Sequence, residues 1–153
     1  MSASGRIVAI DYGMARIGLA ISDECRMIAT PLTTLEAKKK AAASALACAQ
    51  ELQRLEKLGR YTIQAIIVGL PLLLNGKTGL LADEVLHFVE QLKTHVSIPV
   101  TTWDERLTSV QADRTLREGN LTRKKRAKLV DSVAALLLLQ SYLDYLSSAQ
   151  IYS

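Results

Sequence analysis

The chain has 153 residues, 49% of them hydrophobic and 22% charged, with a formal charge of +4; this balance fits one compact core and excludes a low-complexity or repeat-built chain. The mild basic excess favours a polyanionic partner without specifying one. The most apolar run, residues 133–139, is far shorter than the ~18 residues of a membrane span, so a soluble protein is expected.

In chain order, "RIVAID" (6–11) and "RIGLAISD" (16–23) are strand-like runs of Ile, Val, Leu and Ala, joined by "YGMA", a glycine-containing link of hairpin length. After the polar turn "DECR", residues 27–35 form a third run, which predicts an antiparallel meander. Over 36–58, Ala42, Ala45, Ala49, Leu52 and Leu55 recur at steps of three and four, and Gly59 stands where a helix-terminating glycine belongs. "IQAIIVGLP" is a short, continuously apolar strand of the kind buried on both faces. A loop with Asn75, Gly76 and Gly79 leads to a second helix, in which Leu81, Val85, Phe88 and Leu92 share a stripe. "IPVTTW" reads as a fifth strand. Thr108 with Gln111 suggests a capping box for a short helix through Glu118, and residues 123–146 make a last long helix. Strands alternating with helices after a meander predict one α/β domain over 1–153, with a mixed five-stranded sheet and helices on both faces.

Three acidic positions stand out against this frame. Asp11 ends the first strand, Asp104 and Glu105 end the fifth, and Asp131 interrupts the apolar stretch "LVDSVAALLLL". A carboxylate at the end of an apolar strand is costly without a partner. In α/β sheets ligands collect at the carboxyl ends of strands, so the first and fifth strand ends can meet there. Small residues, Ala134 and Ala135, let the last helix come close with the third acid. Converging carboxylates repel one another, and hard oxygen donors without His or Cys suit Mg²⁺ or Mn²⁺ rather than Zn²⁺. Each acid also has a plainer reading: Asp11 as a turn-capping residue, "WDERL" as a solvated loop with pairing to Arg106, and Asp131 as an acid favoured near a helix start.

The segments "VAIDYGMARIGLAISD", "IIVGLPLLLNGKTG", "WDERLTS" and "LVDSVAALLLLQSYLD" together resemble the YqgF/RuvX family, described as Holliday junction resolvases and as nucleases maturing the precursor of 16S rRNA. The likeness runs from about Arg6 to Leu146. It implies a ribonuclease H-like fold and a metal-dependent nuclease site, with Asp11, Glu105 and Asp131 as catalytic residues and metal ligands. Asp104 is the reserve for the middle position, because adjacent strand residues point to opposite faces and only one can join Asp11. The loop "GLPLLLNGKTG" is more apolar than the family pattern, with Leu73 and Asn75 where Asn and Asp are common.

On that resemblance the reaction is phosphodiester hydrolysis with two Mg²⁺ or Mn²⁺ ions, Asp11 bridging them. The substrate is an rRNA precursor at its 5′ end or, alternatively, a branched DNA junction. "TRKKRAK" places Arg123, Lys124, Lys125, Arg126 and Lys128 just before Asp131. Cations at a helix start oppose its dipole, which suggests contacts to nucleic-acid phosphates. Arg16 is a further candidate for such contact, or for a salt bridge. Lys38, Lys39 and Lys40 are expected on a helix surface. Trp103 and Tyr12 flank the acids and could stack on bases, with core packing the better reading for Trp103. His87 and His95 are expected at the surface, away from the site. Cys25 and Cys48, without metal-type spacing or a signal peptide, are expected as reduced thiols in the cytoplasm. A homodimer is left open and no membrane partner is expected. Two rivals remain. An actin-like kinase or ATPase uses a similar strand and Asp-Gly turn but duplicates the domain, and a non-catalytic nucleic-acid-binding module would keep the fold without the chemistry.

Overall fold

The computed structural model describes residues 5–73, 75–107 and 123–152, with backbone alone for residues 107, 123–132 and 150–152. The elements are β1 (Arg6–Tyr12), β2 (Arg16–Ser22), β3 (Ala29–Glu36), α1 (Ala41–Gly59), β4 (Ile63–Leu70), α2 (Leu80–Lys93), β5 (Val100–Asp104), a 3-10 turn (Glu105–Leu107) and α3 (Arg123–Tyr152). One sheet runs in the order β3-β2-β1-β4-β5. β1, β2 and β3 form the antiparallel meander, while β4 and β5 join β1 in parallel. The short helix expected over 108–118 lies outside the described residues.

Strand alternation sorts the core into two layers. Val8, Ile10, Tyr12, Ile17, Leu19, Ile66 and Val68 face one way and pack with Cys48 and Leu52 of α1 and Val85, Phe88 and Leu92 of α2. Ile7, Ala9, Ala20, Ala29 and Ile67 face the other way and meet Ala135, Leu138, Leu139 and Leu143 of α3. On the strands the first layer carries mainly large side chains, while the second, the thin layer, sets alanines on both the sheet and the helix among Ile7, Ile67 and the leucines of α3. Gln140 pins α3 to the meander: its side-chain oxygen accepts the Ala29 N–H at 3.0 Å and its amide nitrogen donates to the Met27 carbonyl at 2.9 Å. At the β1–β2 link the Gly13 N–H donates to the Arg16 carbonyl at 3.0 Å. A Cβ on Gly13 would stand 2.6 Å from that oxygen, so the turn needs glycine.

Several expected boundaries and stripes shift. α1 begins at Ala41, not 36, because β3 continues through Glu36, which pairs in register with Arg16. Lys38, Lys39 and Lys40 therefore precede the helix instead of lying on its surface, which keeps three cations out of its first turn. Gly59 is the last helical residue, and Arg60 takes the left-handed terminating conformation at φ 55°. The buried stripe of α1 is Ala41, Ser44, Ala45, Cys48, Ala49 and Leu52, with Ala42 exposed. On α2, Ala82 is buried and Leu81 is exposed. Both cysteines are free thiols. Burial pushes the Cys48 thiol up to about 12, with the nearby Glu51 charge adding to the shift. Among the described residues, no helix is long and apolar enough to cross a membrane.

Candidate active site

Asp11 is the third residue, after Ile7 and Ala9, on the β1 face that α3 covers. Among the described residues it is the one buried acid, 6% exposed. Its cross-strand partner on β2 is Gly18. On the other side, continuing the β1–β4 register one residue past Ile10↔Val68 sets Asp11 beside Gly69, which in turn pairs with Trp103 of β5. By this register Asp11 sits between two glycines, Gly18 and Gly69.

Glu105 opens the 3-10 turn directly after β5. Its side chain crosses from β5 onto β4 and lies over Gly69: a Cβ built there would be 2.6 Å from Glu105 Oε1, 3.0 Å from Cγ and 3.1 Å from Cδ. Glu105 is thus brought to the same sheet face as Asp11, over the residue beside it. Asp104 goes elsewhere. Its carboxylate accepts the Arg106 backbone N–H at 2.9 Å and is forked by the Arg106 guanidinium, with Nη2 to Oδ2 at 2.7 Å. The hydrogen bonds from the Arg106 side chain, foremost, hold the Asp104 carboxyl below the usual aspartate range. Arg106 also donates from Nη1 to the Leu73 carbonyl at 3.4 Å. That contact ties the strand end to the 71–79 loop, whose tip turns at Gly76 with φ 83°. The Asn75 side chain caps the turn by accepting the Lys77 N–H at 2.9 Å.

Asp131 lies in α3, four residues before Ala135, whose side chain belongs to the thin core layer. The backbone thus brings the third acid into the helix that covers Asp11, while its side chain lies outside the description. Arg123, Lys124, Lys125, Arg126 and Lys128 occupy the opening turns of the same helix. Arg16 opens β2, two residues before Gly18. Among the described residues no group of three or more His, Cys, Asp or Glu is gathered for a metal. His87 and His95 are both exposed.

Neither aromatic candidate lies bare for stacking on a base. Tyr12 points into the α1–α2 layer, its ring 4.4 Å from Phe88. Trp103 packs against α3, with ring centroids 5.1 Å from Tyr142 and 5.0 Å from Tyr145. The residue that sequence reasoning overlooked is Gly69. A glycine inside an otherwise apolar strand was the available signal, since such a glycine marks a close approach.

The family model described as "RuvX: Holliday junction resolvase" matches residues 5–145. A "Putative pre-16S rRNA nuclease" of Protochlamydia amoebophila is 51% identical over 91% of this chain and 93% of its own. One of Clostridium acetobutylicum, described in the same words, is 40% identical over 91% and 98%. Among solved structures, Thermus thermophilus RuvC in complex with a Holliday junction substrate aligns with a TM-score of 0.54 at 15% identity, covering 92% of this chain and 96% of that one. The sheet order and helix placement are therefore those of the ribonuclease H-like fold. A ROK hexokinase from the same organism shares the fold more loosely, with a TM-score of 0.50 over 37% of its length. From a family model matched along nearly the whole sequence and relatives of 40–51% identity, the chain belongs to the RuvX family.

Proposed function

We propose that this protein is a divalent-metal-dependent nuclease that hydrolyses phosphodiester bonds and processes the 5′ end of the 16S rRNA precursor. Residues 1–153 act as one nuclease domain, in the cytoplasm. The observation that carries this reading is that two acids share one sheet face: Asp11 paired with Gly18, and Glu105 lying over Gly69.

The donor set fits a hard cation. It is all carboxylate oxygen, and the missing Cβ of Gly69 leaves the space in which the Glu105 carboxylate lies. Asp11, Glu105 and Asp131 would hold Mg²⁺ or Mn²⁺. When bound, such ions would polarise the phosphoryl group and lower the pKa of attacking water. Asp11, rooted in a central strand, keeps its carboxylate fixed before substrate arrives, so little reorganisation remains for the reaction. Glu105 is steadied from behind by the Asp104–Arg106 pair, which locks the backbone of the turn. Arg123, Lys124, Lys125 and Arg126, with Arg16, hold the phosphates flanking the cut, and their charge offsets that of the backbone.

The names borne by the 40–51% identical relatives support rRNA as the substrate. The family description supports a second reading, resolution of Holliday junctions in DNA. Purified protein incubated with Mg²⁺ or Mn²⁺ and either a 16S precursor fragment or a four-way DNA junction separates them. Cleavage of the precursor at the 5′ side of the mature end is expected. Cleavage of the junction alone would transfer the function to DNA, and binding of either without cleavage would make the chain a non-catalytic module. Sizing the protein alone and on the junction tests a homodimer, the state that a two-fold-symmetric substrate would match.

A further inference from the structure

Gly69 is the only glycine of β4, a strand buried for most of its length. Glycine weakens a strand interior, and among the described residues Gly69 is not one of those with positive φ. Alanine could adopt its backbone. What excludes a side chain is space on the α3 face, where Glu105 Oε1, Cγ and Cδ crowd the position a Cβ would take.

We propose that Gly69 is a positioning residue for Glu105: its bare backbone is the notch that lets the carboxylate bend across β4 to the Asp11 side of the sheet. The role of that carboxylate rests on the metal-nuclease reading above, whereas the notch itself does not. The crowded atoms belong to the end of a flexible side chain, so a methyl group at 69 displaces Glu105 and leaves the strand in place. Residue 69 would therefore act on the site without touching substrate or metal. The surrounding framework would oppose a compensating shift, since Gly69 is held in register by Trp103 on β5.

The test is a set of four proteins, wild type, Gly69→Ala, Glu105→Ala and the double variant, melted without metal, with Mn²⁺ binding followed by calorimetry for wild type, Gly69→Ala, Glu105→Gln and Gly69→Ala with Glu105→Gln. Misplacing a ligand through its support typically weakens metal binding 10- to 100-fold. Gly69→Ala is expected to show a loss of about that size while still melting cooperatively, and to add no further loss once Glu105 is Gln. Without metal, the methyl group should raise the melting temperature when Glu105 is Ala, by filling the vacated notch, and should not when Glu105 is present. A Gly69→Ala protein that folds only when Glu105 is truncated gives the same support. Equal effects of Gly69→Ala on melting in both backgrounds, or failure to fold in both, would overturn the notch. So would an Mn²⁺ loss that is undiminished in the Glu105→Gln protein. If wild type binds no Mn²⁺, the metal reading fails and the melting comparison alone decides the role of Gly69.

Discussion

The two faces of the sheet differ in the size of the strand residues they present. Toward α1 and α2 the strands present Val8, Ile10, Tyr12, Ile66 and Val68, which fill the space against Phe88 and Leu92. Toward α3, beside Ile7 and Ile67, they present Ala9, Ala20 and, by strand parity, Gly18 and Gly69, and α3 brings Ala135 along with Leu138, Leu139 and Leu143. Large side chains make a layer that stabilises by area and contact. Small ones let the helix lie close and leave room for carboxylates. The acids stand on the thin face, at the level where β1 is flanked by glycines. The proposed chemistry stands on the face that carries the glycines and alanines, although Ile7, Ile67 and the leucines of α3 bury area there too.

The largest effects should come from the thin face and appear in activity. Glu105→Gln and Asp11→Asn keep shape but remove an anionic metal ligand, so cleavage should fall by orders of magnitude while each protein still melts cooperatively. On the thick face, Phe88→Ala should cost ~3–5 kcal/mol by denaturant unfolding. Its cleavage rate, measured well below the melting temperature, should change little. Ala135→Leu sharpens the comparison, because overpacking the thin layer should cost ~1–3 kcal/mol and also lower cleavage by pushing α3 off the sheet.

Asp104→Asn should be milder, at most about 1 kcal/mol, because its pair with Arg106 is partly exposed. The folded-state pKa of Asp104 is depressed, so this contribution is present above the ordinary aspartate pKa and is lost as pH falls through the folded-state value. The stability difference between wild type and Asp104→Asn should therefore shrink in acid, as melts across pH 2–6 would show. Smallest per residue is the basic run. Neutralising Arg123, Lys124, Lys125 and Arg126 should flatten the salt dependence of duplex binding by up to ~0.9 in slope per lost phosphate contact.

Much of this arrangement was legible in the residues. Strand parity at "WDERL" says that only one of Asp104 and Glu105 can face Asp11, and the family resemblance chose Glu105; the structure sends Asp104 to Arg106 and Glu105 over Gly69. Helix phase was harder to read. In "AAASALA" every stripe is apolar, so Ala41 and Ala42 carry the same signal. At "GLLADEV" the larger leucines, Leu80 and Leu81, are exposed, while the small Ala82 fills the close contact. The glycine of "IQAIIVGLP" signals a close approach, but what approaches depends on the β4–β5 register and the bend of a side chain 36 positions later, which local pattern does not contain.

On the proposed function, the thin face binds a divalent cation through Asp11. Thermal melting of wild type and Asp11→Asn with and without Mn²⁺ tests it most directly, since a ligand held only by the folded state stabilises it by about 2.7 kcal/mol at a hundredfold excess over its dissociation constant. Mn²⁺ should raise the melting temperature of wild type and leave that of Asp11→Asn nearly unmoved. Wild type and variant melting alike with and without Mn²⁺ would contradict it.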